Sequence, residues 1–102
     1  MKEITLEVLK DETKELILFI HTPLCGTCHI ARKMLVTVEV MKNNLTFYEV
    51  NASFFPDFMQ EKRIESVPCL LIMKAGRIQE RVYSFESVVK LNSIINRHFF
   101  AE

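Results

Sequence analysis

The sequence predicts an α/β fold built on a central mixed sheet of four to five strands, with helices on both faces. Three observations carry that prediction. Residues 16–20, Leu-Ile-Leu-Phe-Ile, form an apolar run of strand length that suits a strand buried on both faces. After Gly26 the pattern changes: Ile30, Met34, Leu35, Val38 and Met41 recur at three and four residues, the period of an amphipathic helix. Near the C-terminal end two strand-like runs flank Lys74-Ala75-Gly76-Arg77, the pattern of a hairpin, and an apolar stripe at helical spacing follows.

The elements follow in order. The opening segment supports two readings, because Ile4, Leu6 and Val8 alternate like a strand while Leu6 and Leu9 sit at helical spacing behind a possible Thr5 cap. Residues 15–21 are the first clear strand, and the amphipathic helix beyond Gly26 ends at Asn43-Asn44. Residues 45–50 are rich in aromatic and β-branched side chains and read as a strand. Residues 54–63 read as a short helix with Pro56 in its first turn and Phe55, Phe58 and Met59 turned inward. Residues 69–73 and 78–83 are the hairpin strands. Ser84 is the expected cap of the last helix, whose Val88, Leu91, Ile94, Ile95 and Phe99 form one apolar stripe. The order strand–helix–strand–helix–strand–strand–helix implies the mixed sheet.

With 102 residues, 49% hydrophobic and 25% charged, the chain is expected to form a single domain over residues 1–102. No repeat or Pro/Gly/Ser-rich linker divides it. Thirteen basic residues balance thirteen acidic ones, so no global field would draw in nucleic acid or an anionic membrane. The first seven residues lack the basic stretch and apolar run of a secretory signal, and the 16–20 run is far too short to span a bilayer. These features give the expectation of a cytoplasmic protein. Three cysteines are too few for a disulfide-stapled scaffold, which directs attention to redox or metal chemistry.

Cys25-Gly26-Thr27-Cys28 has the spacing that lets two sulfurs on a first helical turn reach bonding distance. A buried strand precedes it and an amphipathic helix follows, so Cys25 stands at a helix N-terminus. There the unpaired backbone N–H groups and the helix dipole favour a thiolate. Two other chemistries fit the same letters. Cys25 to His29 spells the attachment motif of a c-type haem, but the strand-rich surroundings do not suit a small cytochrome. Cys25, Cys28, His29 and Cys69 can be written as a zinc or iron–sulfur ligand set, although neighbouring Cys28 and His29 diverge by about 100° on a helix. Two such dithiols can also bridge a cluster between two chains.

Val67-Pro68 stands forty residues beyond Cys28 and directly before an apolar strand. With this element the sequence resembles the thioredoxin family over nearly its whole length: buried strand, Cys-x-x-Cys, helix, strand, helix, proline, hairpin with a glycine turn, final helix. The resemblance implies a thiol–disulfide oxidoreductase with Cys25 as nucleophile and Cys28 as resolving thiol. It also implies a cis bond before Pro68, with Val67 binding a substrate segment and Pro68 shaping the groove. Leu24, Gly26 and Thr27 complete the expected substrate contacts. No bound cofactor or metal is required. The implied partners are a disulfide-containing protein or low-molecular-weight disulfide and an external reductase or thiol reductant. A peptide-binding module of the same fold with little turnover is the second functional class.

Several positions depart from the family's usual residues. Leu24 stands in place of tryptophan, and Thr27 in place of the proline commonly found between the cysteines. Phe19 takes the place of the buried aspartate that helps deprotonate the resolving thiol. Glu49 stands where the family usually has lysine, and is expected to supply the missing carboxylate near Cys28, with a pKa raised by partial burial. The competing reading is a solvated glutamate at a strand edge. Cys69, in place of threonine, is either a third thiol open to disulfide exchange, metal or modification, or a small buried side chain. Arg32, His29 and Lys33 add modest positive potential near the dithiol or simply form the solvated face of the helix. His21 closes the strand before the motif, and His98 in the last helix carries no assigned role.

Overall fold

The computed structural model describes residues 1–99, so the last three residues of the expected domain lie outside it. The chain runs β1 (Lys2–Glu3), α1 (Leu6–Lys10), β2 (Glu15–His21), α2 (Gly26–Val40), β3 (Phe47–Asn51), a 3-10 turn (Ala52–Phe54), α3 (Pro56–Glu61), β4 (Cys69–Lys74), β5 (Arg77–Val82) and α4 (Val88–Phe99). The sheet order is β1-β3-β2-β4-β5. The pairs β1/β3 and β3/β2 are parallel, whereas β2/β4 and β4/β5 are antiparallel. The expected mixed sheet is present with five strands. No helix among the described residues is long and apolar enough to cross a membrane.

Burial explains the strand positions. Leu16 to Ile20 in β2 and Cys69 to Met73 in β4 are buried without interruption, as strands covered on both faces require. Their side chains alternate between two apolar clusters. Ile17, Phe19, Phe47 and Leu70 pack with Cys28, Leu35 and Val38 of α2 and Leu91 and Ile95 of α4. Leu16, Leu18, Ile20, Cys69 and Leu71 pack on the other face, where Val8 and Leu9 of α1 and Phe55, Phe58 and Met59 around α3 cover them.

Local chemistry sets the element ends, in places differently from the sequence reading. The opening takes the helical reading from Leu6; Ile4, Leu6 and Val8 do not form the alternative strand, and the strand that is present lies just before them, at Lys2–Glu3. Two residues pair with β3, and Thr5 then caps α1 by accepting from the Val8 N–H at 3.3 Å. The short helix begins at Pro56 rather than residue 54, because the Asn51 side chain accepts from the Ser53 N–H and turns residues 52–54 into a 3-10 turn. That helix stops at Glu61 rather than residue 63; just beyond its cap Lys62, Arg63 has a left-handed φ of 56°, with Ile64 N–H bonded to Met59 C=O and Arg63 N–H to Gln60 C=O. The hairpin turn uses positive φ at both Ala75 (52°) and Gly76 (75°), which suits the strand twist. The cap of α4 is Ser87, whose Oγ accepts from Lys90 N–H at 3.0 Å; the expected cap, Ser84, lies too far upstream.

Candidate active site

The end of β2 delivers the chain to the dithiol. The Cys25 N–H bonds Thr22 C=O at 3.3 Å, which turns the backbone directly into α2. Cys25 is the N-cap residue in extended conformation, and its sulfur accepts the Cys28 N–H at 3.1 Å. A sulfur thus takes the position that a serine or aspartate oxygen usually holds, at the positive end of a fifteen-residue helix. Cys25 and Cys28 form a disulfide with Cα atoms 5.2 Å apart. Their environments differ. Cys25 is half-buried on the rim, whereas Cys28 is only 4% exposed and belongs to the cluster beneath α2.

The other expected site residues surround this rim. Thr27 Oγ1 lies 3.4 Å from the Cys25 sulfur. Leu24 is 99% exposed, an aliphatic side chain presented wholly to solvent beside Cys25. Gly26 borders open space, since a Cβ built there meets nothing within 4 Å. The Val67–Pro68 bond is cis, and Val67 packs against the same cluster as Cys25 and Cys28.

Glu49 requires a correction. It lies on the sheet face beneath α2, in register with Phe19, and is 9% exposed, so it is not a solvated edge residue. Its ionisation, however, is the reverse of the expectation. Arg32 donates Nε–H to Oε1 and Nη2–H to Oε2, both at 2.9 Å, and these bonds hold the Glu49 carboxyl below the usual carboxylate range. Burial pushes the other way and is outweighed; the Arg32 charge, then His21 and the chain's α-amino group, add to the lowering. Glu49 is therefore an ionised, paired carboxylate and not an acid of raised pKa. Arg32 stands on the exposed face of α2, as expected, but is committed to Glu49, and the same bonds raise its own pKa. His21 closes the group, with Nε2 3.7 Å from Glu49 Oε1 and its ring stacked on Phe19 at 5.5 Å. The Arg32 and His21 contacts were missed in the sequence. The available signal was parity: Glu49 lies two residues after buried Phe47 on the same face of β3.

Cys69 is a free thiol with no exposed surface, in the cluster on the opposite sheet face from Cys28. Burial pushes its thiol up to about 11. The four residues of the metal reading are not brought together: His29 is exposed on α2, and the sheet separates Cys69 from Cys28. Among the described residues no group of three or more His, Cys, Asp and Glu side chains is placed to share a metal. His98 bonds Glu80 at 2.6 Å, away from the dithiol elements, and ties α4 to β5. A cleft of about 660 Å³ between α1 and α3, lined by Leu6, Leu9, Phe54 and Phe58, contains none of the expected site residues.

A disulfide whose first sulfur caps the helix after a central strand, in a sheet of this order, defines a thiol–disulfide oxidoreductase fold and site. The chain belongs to the thioredoxin family, whose model, described as thioredoxin, matches residues 2–97. The thioredoxin-like protein YusE of Bacillus subtilis is 39% identical over 97 residues, covering 95% of this chain and 90% of that protein. Among solved structures, Malassezia sympodialis thioredoxin superposes with a TM-score of 0.84 at 20% identity, covering 96% of this chain and 90% of that one. Reduced desulfothioredoxin from Desulfovibrio vulgaris Hildenborough gives 0.80 at 21% identity, covering 93% and 94%. These two likenesses establish the fold. The family match and the bonded cysteine pair make the chain a thiol–disulfide oxidoreductase acting through Cys25 and Cys28.

Proposed function

We propose that the chain reduces disulfides in proteins, with Cys25 as the attacking thiol and Cys28 as the resolving thiol. The observation that carries the assignment is the asymmetry of the pair: Cys25 lies on the rim with its sulfur at the helix N-terminus, and Cys28 is buried behind it. In the reduced protein the Cys25 thiolate attacks one sulfur of the substrate disulfide. That S–S bond breaks, one substrate sulfur leaves as thiolate and takes a proton, and a mixed disulfide forms. The Cys28 sulfur, after losing its proton, attacks the Cys25 sulfur. The second substrate sulfur leaves, and the Cys25–Cys28 disulfide closes. Two electrons have passed to the substrate, and an external reductase or thiol reductant returns them to the pair. Leu24, Gly26, Thr27, Val67 and Pro68 form the substrate-contacting surface of this reading, with Leu24 offering apolar contact in solvent.

The test is catalysis of insulin reduction by dithiothreitol. The wild type is expected to accelerate it, Cys25→Ser to abolish the acceleration, and Cys28→Ser to accumulate a mixed disulfide with the substrate. No acceleration by wild type, or trapping through Cys28 instead of Cys25, would overturn the assignment. Peptide capture without turnover would mark a binding module.

A further inference from the structure

The loop between α3 and β4 carries Val67 and Pro68, and its hold on the rest of the fold changes partway along. Lys62 N–H bonds Phe58 C=O at 2.9 Å, Arg63 N–H bonds Gln60 C=O at 3.1 Å and Ile64 N–H bonds Met59 C=O at 2.9 Å, so residues 62–64 are tied back to α3. From Glu65 the chain leaves the helix, and side chains of β5 and the residue after it take over. The Tyr83 hydroxyl oxygen accepts from Glu65 N–H at 3.2 Å. Arg81 donates Nε–H at 3.2 Å and Nη2–H at 3.1 Å to Lys62 C=O. We propose that Tyr83 and Arg81 are positioning residues for substrate binding: they hold this loop so that Val67 and Pro68 meet a protein substrate in one fixed arrangement beside Cys25.

The strand itself places both side chains. Arg81 stands in register with Leu71 of β4, on the sheet face that holds Cys69 and Leu71. Tyr83 lies two residues further on, so it returns to the same face, and it packs against that cluster. Its hydroxyl also hydrogen-bonds the Cys69 side chain. One oxygen thereby meets the chain on both flanks of Val67–Pro68, at Glu65 before it and at Cys69 directly after it. Arg81 anchors the loop's entry by two charge-assisted bonds to one carbonyl. Burial alone holds the loop weakly: Ile64 and Val67 pack on the core, but Glu65 and Ser66 between them are exposed. A segment with few buried contacts opens easily, and polar anchors restrict it to one arrangement. A surface already in its bound form loses less conformational entropy when substrate arrives. Val67 and Cys25 pack against one cluster, so the place of Val67 sets the groove wall relative to the Cys25 sulfur. Tyr83 and Arg81 act from the sheet face opposite Cys28, so their loss is expected to change binding and not the reactivity of the dithiol.

The inference rests on Val67 contacting a protein substrate, as proposed above, and one of its two measurements needs no substrate. Hydrogen exchange is compared in wild type, Tyr83→Phe, Arg81→Met and Arg81→Lys. Faster exchange is expected in peptides covering residues 64–69 of Tyr83→Phe and Arg81→Met, with α2 unchanged, while Arg81→Lys keeps a donor and stays closer to wild type. The reduced proteins are then mixed with excess insulin, or with hydroxyethyl disulfide, which is too small to need the groove. Tyr83→Phe and Arg81→Met are expected to raise the half-saturating insulin concentration about threefold to tenfold, the effect of one lost hydrogen bond, with the limiting rate and the reaction with hydroxyethyl disulfide within about twofold of wild type. A merely structural role would slow both disulfides alike or neither, and either result overturns the proposal, as does unchanged exchange in the loop. If Tyr83→Phe does not fold, Arg81→Met carries the same test. If wild type consumes hydroxyethyl disulfide but not insulin, the function proposed above fails, and exchange in the loop alone then decides whether Tyr83 and Arg81 hold it.

Discussion

Stability at alkaline pH is expected to depend on one thiol outside the active site, Cys69. It opens β4 with no exposed surface, and burial pushes its pKa from 9.0 to about 11 against the opposing pull of the Tyr83 hydroxyl, the Arg81 charge and the Val82 backbone. The native state therefore holds the proton over a window in which the unfolded chain has already released it. Between those two values the unfolded state binds fewer protons, so stability falls as pH rises. Two pKa units correspond to about 2–3 kcal/mol at full loss. The perturbation is Cys69→Ala, compared with wild type by urea denaturation between about pH 8 and about pH 11, with Cys25–Cys28 kept oxidised so that neither titrates. Tyrosines and lysines ionise in both proteins and cancel in the difference. Cys69→Ala is expected to be the less stable protein at the lower pH because it leaves a small cavity, and to close or reverse the gap toward the upper pH. At neutral pH the same two units remove about a hundredfold of thiolate, so alkylation of native Cys69 is expected to lag far behind that of the denatured chain. Parallel loss of stability in both proteins, or rapid alkylation of native Cys69, would refute the reasoning.

Other perturbations test the local structure. Ser87→Ala is expected to cost about 1 kcal/mol in chemical denaturation through loss of the α4 cap, while Ser84→Ala stays within about 0.5 kcal/mol of wild type; the reverse ranking would place the cap wrongly. Arg63→Gly is expected to stabilise by about 0.5–1 kcal/mol, because the left-handed φ of 56° is strained for any residue with a Cβ; a lower melting temperature would contradict it. The Glu49 carboxyl, lowered by Arg32, contributes stability that is present above its unfolded pKa and lost as pH falls through its folded value. Glu49→Gln is accordingly expected to flatten the acid side of the stability curve, and an unchanged acid limb would show the pair to be energetically idle.

The parts of the site legible in the sequence are those set by short-range pattern. A five-residue apolar run, a two-residue cysteine spacing and a helical repeat place Cys25 at the start of α2, because strand and helix periodicities are properties of neighbouring residues. The apolar face of α4 was legible for the same reason. Its cap was not: Ser84 and Ser87 carry the same side chain, and the route of the loop decides which hydroxyl meets the first free N–H. β1 escaped the reading because two residues carry no periodic signal and gain strand form only by pairing with β3.

The cysteine pair, its place after a buried strand and the family it belongs to were determined by the sequence, since each depends on residues close together in the chain or on their order. Tertiary structure decided the ionisation of the residues around the pair. Glu49 is paired because a residue seventeen positions away on α2 lies over its strand. Cys69 is held protonated because β4 runs between two other strands and buries it on the face away from Cys28. Charge state depends on water and on the nearest opposite charge, and both are set only when distant segments pack.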